Sequence, residues 1–357
     1  MAEKIQSVKP SAEVRISIFS YLEYVDIYSL YCLQVMLIGP IGPKLRGLLD
    51  ERIATPTFTT DSQDEIHMIL EYAKGQRWGE VTASCANRVI FSHDISNAKL
   101  VALESFQESL EQFRPELIVL SGAHLLDGQP KTFWEKRLAD IAKLLDSIPR
   151  SIPVHWELAT VGDLHYFYHL SETLFPRIDS LGLNEQELLS ATKSANADFD
   201  FDSVPKKPGV EWISDLLHWL MTTYTKRDNS RLSRVHFHSL AFHIVATPTN
   251  APWHGTPDGL IAGTKVAGLQ ACNSISFNPA DFELRMPLNF ALSRTDHKLS
   301  SVRHYGSSDL SHIVQWRRAA TDYHLSPVLV CREPTKTVGL GDAISSLGLL
   351  YTNFITT

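Results

Sequence analysis

The stretch TVGLGDA occupies residues 337–343 and follows the apolar run PVLVC at residues 327–331. The apolar run predicts a buried strand, and the spacing of apolar residues over 342–351 predicts a helix. A strand, a glycine turn and a helix in this order are typical of α/β proteins. The two glycines let the first N–H groups of the helix approach an anion, which the helix dipole also favours.

The same alternation extends toward the N-terminus as far as residue 116. The other predicted strands cover residues 116–121, 152–158, 177–183 and 234–240, and the other predicted helices cover residues 132–146, 187–193 and 212–225. This order predicts a mostly parallel central sheet flanked by helices. In such sheets the ligand lies beyond the carboxyl ends of the strands.

Residues 53–95 have a different pattern, in which short extended segments are joined by polar turns without a clear helix. The pattern predicts a small β-rich lid segment. The sequence therefore divides into three parts. They are an N-terminal part of the large domain at 1–52, the lid segment at 53–95, and the large α/β domain at 96–357.

Composition limits the class of protein. Hydrophobic residues make up 44% of the 357 residues and charged residues 20%, so the chain can bury a full core. The formal net charge of −7 argues against non-specific nucleic-acid binding. The uncharged run 27–43 is too short and too polar for a membrane span. The first 15 residues lack the apolar region of a secretory signal, so we expect neither feature in this chain.

Asp342 is the candidate for catalysis. An Asp beside an anion site opposes phosphate binding unless it acts as a base, deprotonating a hydroxyl that attacks a phosphoryl group. The alternative is a glycine-rich turn in which Asp342 is the helix N-cap.

Two carboxylates are candidates for a metal site. On a strand, His155 and Glu157 share one face, and Glu157 would hold a metal through water or form a polar pair at the sheet rim. Asn184 and Glu187 have the spacing of a capping box. The functional interpretation places the same two residues beside a magnesium–phosphate unit, because Mg²⁺ prefers oxygen ligands.

Two further motifs allow a binding role or a structural one. His236 and His238 have the spacing of a two-histidine zinc pair, or they are core residues of a strand. Arg88 would present its guanidinium to a phosphate, or it lies on the surface.

In chain order, HWE (155–157), NEQE (184–187), HFHS (236–239) and TVGLGD (337–342) resemble motifs of the ADP-dependent glucokinase family. This family belongs to the ribokinase-like superfamily, and the resemblance is to its animal-type members. Longer blocks that carry the resemblance are LIGPIGPKLRGLLD (37–50), ANRVIFSHD (86–94), LGLNEQELL (181–189) and VLVCREPTKTVGLGDAIS (328–345). The resemblance runs from about Met36 to the end of the chain.

The resemblance implies a ribokinase-like fold and phosphoryl transfer from ADP to the 6-hydroxyl of glucose, giving AMP and glucose 6-phosphate. It implies Mg²⁺ as cofactor and a monomer. The implied site residues are the base Asp342, the anion hole Gly339 and Gly341, the metal-site residues Glu157, Glu187 and Asp342, the nucleotide contacts Asn184, His238, Ser239, Cys331 and Arg88, and the sugar contact His67.

The front of the chain departs from the family pattern. Family members carry a sugar-binding strand and a GGN-type motif before the block that begins here at Leu37, and this sequence has neither. We therefore expect an N-terminally truncated or alternatively spliced chain whose sheet lacks an early strand of the family. The segment 14–38 is rich in Ile, Val, Tyr and Leu and is a candidate to replace that strand in part. A nucleotide-binding isoform with little sugar turnover is the alternative to an active kinase, and an ATP-using ribokinase-type enzyme is a third interpretation.

Cys272 and Cys331 are candidates for a disulfide, because both are expected near the nucleotide pocket that the resemblance implies. Such a bond indicates an oxidising compartment. Full-length animal members of the family enter the endoplasmic reticulum or are secreted, although this chain shows no signal of its own.

Overall fold

The computed structural model of this chain describes residues 15–19, 34–55, 64–93, 95–306 and 312–355, with only the backbone described for 15–19, 66–67 and 92–93. The helices are α1 (Pro43–Leu48), α2 (Leu103–Phe113), α3 (Lys131–Ser147), α4 (Leu164–Leu174), α5 (Glu185–Ser194), α6 (Val210–Tyr224), α7 (Thr256–Ala271) and α8 (Leu340–Leu350). The strands are β1 (Arg15–Phe19), β2 (Gln34–Ile38), β3 (Ile53–Ala54), β4 (Ile66–Tyr72), β5 (Arg77–Trp78), β6 (Val81–Thr82), β7 (Asn87–His93), β8 (Leu117–Leu120), β9 (Val154–Glu157), β10 (Ser180–Leu183), β11 (Arg234–His238), β12 (Phe242–Pro248), β13 (Trp253–His254), β14 (Phe282–Leu284), β15 (Asn289–Phe290), β16 (Arg303–His304), β17 (Val314–Arg318), β18 (Thr321–Pro327), β19 (Leu329–Cys331) and β20 (Asn353–Phe354).

A 10-stranded sheet organises the fold, in the order β17-β18-β12-β11-β10-β9-β8-β1-β2-β3. From β11 to β3 every neighbouring pair is parallel. The strands β12, β18 and β17 add antiparallel pairs at one edge, which the sequence pattern did not predict. The prediction of a mostly parallel sheet flanked by helices is confirmed. Because parallel strands point the same way, β9, β10 and β11 end at one edge of the sheet.

The apolar run 327–331 contains a buried strand, as predicted, but only over residues 329–331 and outside the parallel sheet, so its expected place in that sheet is wrong. Pro327 ends β18, and β19 pairs antiparallel with β14 outside the large sheet. Pro327 has no N–H group for the ladder, and the last contact with the neighbouring segment is the N–H group of Val328, which donates to the carbonyl oxygen of Ala241.

The place in the sheet that was expected to lack a strand is filled by residues of the segment 14–38. β1 lies between β8 and β2, with Ile18 opposite both Leu37 and Val119. The expectation of a sheet without an early strand is therefore wrong, because residues 15–19 supply parallel pairing on both sides. β3 also pairs with β2, so Ile53–Ala54 belongs to the large sheet, while β4 to β7 form separate small ribbons within the predicted lid segment.

The hydrophobic core packs β8 against the helices that flank the large sheet. All four residues of β8 are buried, as in a strand covered by helices on both faces. α3 turns Leu138, Ile141 and Leu145 toward the same core, at the spacing of one helix face. Burial of each such side chain contributes about 1.5–3 kcal/mol. Among the described residues, no helix is both long enough and apolar enough to span a membrane.

The last two long helices pack antiparallel. A side chain at Gly255, before α7, would lie 2.8 Å from the carbonyl oxygen of Tyr351, just after α8. At the other end of the pair, the Gln270 side chain donates to the carbonyl oxygen of Val338. The end of α7 therefore lies beside the loop that leads into α8.

Cys272 and Cys331 form a disulfide, as predicted, with their Cα atoms 5.5 Å apart. Because the bond closes a loop with a sequence separation of 59, it restricts the unfolded chain. We therefore expect it to stabilise the folded protein by about 2–4 kcal/mol. We expect the double variant Cys272→Ser/Cys331→Ser to lose this amount in urea unfolding. Cys85→Ser is the control, because Cys85 is an exposed free cysteine. Equal unfolding midpoints for the two variants would contradict the prediction.

Candidate active site

Predicted site residues from four elements meet at the carboxyl edge of the sheet. Glu157 is the last residue of β9, Asn184 follows β10, and His238 is the last residue of β11. α8 begins beside them, because a side chain at Gly341 would lie 2.7 Å from the Cε1 atom of His238. The structure thus brings together the HWE, NEQE, HFHS and GLGD motifs, which are far apart in the sequence.

Glu157 is held between two histidines. Its Oε2 atom lies 3.1 Å from Nε2 of His155, and its Oε1 atom lies 2.7 Å from Nε2 of His238. Burial alone would raise the pKa of Glu157, but the His238 charge and both hydrogen bonds outweigh burial and hold that pKa well below its usual range. The pKa of His238 is raised, because the Glu157 charge outweighs the effect of burial. Glu157 and His238 therefore form a buried ion pair.

Gly182 makes room for the Glu157 carboxylate. A Cβ atom at this position of β10 would lie 1.9 Å from Oε2 of Glu157. No side chain fits at that distance, so the position of Glu157 requires glycine on the neighbouring strand.

Asn184 and Glu187 form the capping box that their spacing predicts. The Asn184 side chain accepts hydrogen bonds from the N–H groups of Gln186 and Glu187, and both Glu187 oxygens accept from Asn184. Burial raises the pKa of Glu187 to about 8, and the negative charge of Glu157 adds to this shift. Capping is confirmed, and a metal role for the same residues stays a prediction.

The start of α8 differs from that of α5. Its N-cap is Gly339, with a φ of 71° in the left-handed region that favours glycine, and it makes no side-chain hydrogen bond to the first turn. Asp342 lies in that first turn and is partly exposed. The alternative in which Asp342 is the N-cap is therefore wrong. The first turn of α8 thus has no side-chain cap, which suits the anion site that the glycine motif predicts.

The lid segment contacts the loop before α8 through a cross-strand pair. Glu71 on β4 lies opposite Arg88 on β7. Oε1 of Glu71 accepts from the N–H group of Thr337 at 2.6 Å and also from its hydroxyl, while Nη1 of Arg88 donates to the Thr337 carbonyl oxygen at 2.7 Å. Arg88 is thus brought to the loop of the anion site, where its predicted phosphate contact stays a prediction.

Removing this contact should loosen the loop before α8. In Glu71→Ala, the Thr337 N–H group loses its acceptor, so we expect its amide hydrogen to exchange faster. Hydrogen-exchange mass spectrometry of residues 333–339 measures this effect. Glu80→Ala, an exposed change between β5 and β6 of the same segment, is the control. If both variants exchange like the unmodified protein, the contact of Glu71 and Arg88 with Thr337 does not hold the loop in place.

The other predicted contacts have these positions. Ser239 follows β11, and its hydroxyl donates to the carbonyl oxygen of Phe242, closing the turn to β12. Cys331 lies in the disulfide beside the end of α7. His67 is on β4 opposite Ser92, and its side chain lies outside the described part of the structure. Their nucleotide and sugar contacts stay predictions.

The two-histidine zinc interpretation fails, because the two rings have separate partners. Nε2 of His236 lies 3.2 Å from Nδ1 of His243, whereas His238 pairs with Glu157. In the described ranges, no three His, Cys, Asp or Glu side chains form a direct metal site.

Sequence reasoning missed four residues of this region: Ser180, Arg234, Glu185 and Glu71. Ser180 and Arg234 are fully buried polar residues on β10 and β11. Glu185 lies near Ser239 and His238, and burial raises its pKa. An Arg that begins an apolar strand was a signal available in the sequence, since a buried cation needs partners.

The buried His243 should make the protein sensitive to acid. Burial lowers its pKa to about 3, and the positive charges of His238 and Arg234 add to the shift. The unfolded chain then binds more protons than the native one, so stability falls as pH drops from about 6.5 toward 3. We expect His243→Asn to reduce the slope of unfolding free energy by about 1.4 kcal/mol per pH unit between pH 6 and 4. Parallel slopes in urea titrations of the two proteins would contradict this assignment.

A sequence profile described as the ADP-specific phosphofructokinase/glucokinase conserved region matches residues 26–351. This match covers most of the chain. The chain belongs to the ADP-specific phosphofructokinase/glucokinase family. The motif blocks that meet at the carboxyl edge of the sheet all fall within the matched residues.

Two animal members of the family are similar in sequence. The chain is 41% identical over 323 residues to an ADP-dependent glucokinase of Bos taurus, covering 89% of this chain and 64% of that protein. It is 37% identical to a probable ADP-dependent glucokinase of Caenorhabditis elegans, covering 90% of this chain and 65% of that protein. The chain thus spans just under two thirds of the length of these relatives.

Solved structures of the family share the fold. A phosphofructokinase from Pyrococcus horikoshii with AMP aligns with a TM-score of 0.62 at 16% identity, covering 89% of this chain and 74% of that one. An ADP-dependent kinase in complex with fructose-6-phosphate and ADPβS aligns with a TM-score of 0.63 at 15% identity, covering 98% and 87% of the two chains. These similarities show that this chain shares its α/β fold with the two kinases.

Proposed function

We propose that this chain is an ADP-dependent glucokinase, which transfers a phosphoryl group from ADP to the 6-hydroxyl of glucose. The observation that carries the proposal is the start of α8, where Asp342 and the first turn of a helix without a side-chain cap lie beside the His238–Glu157 pair. The animal relatives that bear the name ADP-dependent glucokinase support the choice of donor and sugar.

The residues divide the reaction between them. Asp342 takes the proton of the 6-hydroxyl as its oxygen forms a bond to the β-phosphorus, and the bond from that phosphorus to the bridging oxygen breaks to release AMP. The N–H groups after Gly339 donate to the phosphoryl oxygens, whose charge they stabilise together with the helix dipole. Arg88 is close enough to the same loop to add a guanidinium.

The carboxylates at the site fit a hydrated magnesium ion. Both oxygens of Glu157 already accept from histidines, and both oxygens of Glu187 accept from Asn184. Each oxygen keeps a second lone pair that accepts from a water molecule, so the pair suits an ion held through water. Mg²⁺ bound there would neutralise charge on the phosphates of ADP. Asp342 directly follows Gly341, which lies beside His238, and we propose that it shares that site.

A coupled assay for glucose 6-phosphate tests the proposal. We expect turnover with ADP, glucose and Mg²⁺, and none above background when ATP replaces ADP. Faster turnover with ATP would favour the ribokinase-type alternative and contradict the proposal.

The second candidate is a nucleotide-binding protein with little sugar turnover. The observation in its favour is that the sequence contains no two adjacent glycines, so the GGN-type sugar motif is absent from it. Calorimetry separates the two candidates: ADP binding without glucose binding favours the second one.

We also propose an oxidising compartment such as the endoplasmic reticulum as the place of action. The Cys272–Cys331 disulfide supports it, because such bonds persist in oxidising surroundings. The monomer stays a prediction.

A further inference from the structure

The polar groups behind Glu157 form one continuous hydrogen-bonded chain. Nη1 of Arg234 donates to Oγ of Ser180 at 2.9 Å, and that hydroxyl lies 2.9 Å from Nδ1 of His155. Nε2 of His155 reaches Oε2 of Glu157 at 3.1 Å. Arg234, Ser180 and His155 are each 0% exposed, and Glu157 is 3% exposed. Each of these links is therefore shielded from bulk water.

Strand register produces this chain. Ser180 lies directly opposite His155 on β9 and directly opposite Arg234 on β11. His155 and Glu157 are two residues apart on β9 and so share one face of the sheet. The chain thus connects the beginning of β10 and β11 to the catalytic edge of the sheet.

The donors and acceptors fix the direction of every proton in the chain. A guanidinium only donates and an ionised carboxylate only accepts, so Ser180 accepts from Arg234, and His155 donates to Glu157 through Nε2. In a neutral imidazole the other nitrogen then accepts, and the Ser180 hydroxyl is the donor beside it. The chain therefore holds His155 in its Nε2–H tautomer.

We propose that Ser180 and Arg234 are positioning residues, which orient the Glu157 carboxylate through His155 for the hydrated magnesium ion. This inference rests on the proposed function for the role of Glu157. Outer partners of this kind commonly change metal affinity by about 10- to 100-fold. The hydrogen bonds from Arg234 to Ser180 and from Ser180 to His155 are the route by which these two residues act on Glu157.

The tautomer gives the first test, and it needs neither turnover nor a variant. In nitrogen-15 NMR of protein labelled in histidine, we expect His155 to carry its proton on Nε2. A proton on Nδ1 of His155 in the unmodified protein would overturn the proposal. In Ser180→Ala the Nδ1 donor is gone, so we expect the His155 nitrogen signals to shift.

The second test measures the Mg²⁺ concentration that half-saturates its effect on ADP binding in calorimetry. We expect this concentration to rise about tenfold in Ser180→Ala. Ser171→Ala is the matched control, because Ser171 is equally buried and its hydroxyl donates to the carbonyl oxygen of Tyr168 on α4 rather than to the chain that ends at Glu157. Equal Mg²⁺ dependence in the two variants and the unmodified protein, with similar losses of stability, would overturn the positioning role.

The same measurements separate the two proposals. If the unmodified protein binds ADP with Mg²⁺ but does not phosphorylate glucose, the proposed function fails and the positioning role is still judged by the shift in Ser180→Ala. If ADP binding shows no dependence on Mg²⁺, the positioning role is overturned.

Discussion

Asp342→Asn is expected to lower turnover of glucose with ADP by about 10²- to 10⁴-fold, the range typical of a lost general base. The amide keeps the size of the side chain and its place in the first turn of α8. ADP affinity should fall far less than turnover, because the proposed phosphate contacts of the backbone N–H groups and of Arg88 stay in place. The coupled assay and calorimetry measure the two quantities separately.

Asp258→Asn is the matched control for this change. Asp258 is exposed in the first turn of α7, which begins at the far end of α8. Both changes remove a negative charge from a helix start, so they share the loss of the favourable dipole interaction. Only the Asp342 variant should lose turnover. An Asp342→Asn protein as active as Asp258→Asn would remove the base from the mechanism.

Gly182→Ala is expected to have the second-largest effect. The new Cβ atom would overlap Oε2 of Glu157 and lie 2.7 Å from its Cδ atom, so the carboxylate must move away from His155 or His238. Overpacking of a core typically costs about 1–3 kcal/mol of stability. A displacement of about 1 Å at the site lowers turnover by about 100-fold.

Urea unfolding and the coupled assay test both parts of this prediction. Gly47→Ala is the control, since a Cβ atom at that position meets no other atom within 4 Å. If Gly182→Ala keeps full turnover, Glu157 does not need the position described for it.

Much of the fold was predictable from local pattern. The fully buried β8 and the amphipathic face of α3 are encoded in short stretches of sequence, and the helix start at Asn184 is encoded in a capping box. The break after Pro327 was missed because two strands with different partners lie next to each other in one apolar run. The place of β1 depends on pairing with both β2 and β8, which no local pattern specifies.

The candidate site was predictable in its parts but not in its contacts. The order of the motifs identified Asp342, Glu157 and His238 as candidates. Their spacing along the chain did not predict that they lie close together. The Ser180–His155 contact arises from the register of neighbouring strands. The hydrogen bond between Glu71 and Thr337 joins residues 266 positions apart. Contacts between residues so far apart in sequence depend on tertiary packing, and local secondary-structure propensity does not predict them.

The most direct test of the central claim is phosphorus-31 NMR of ADP incubated with glucose, Mg²⁺ and a catalytic amount of the protein. We predict that AMP and glucose 6-phosphate appear in equal amounts, and that neither accumulates with Asp342→Asn over the same period. Persistence of ADP in the presence of the unmodified protein, or AMP formed with inorganic phosphate instead of glucose 6-phosphate, would contradict the assignment of this chain as a glucose kinase.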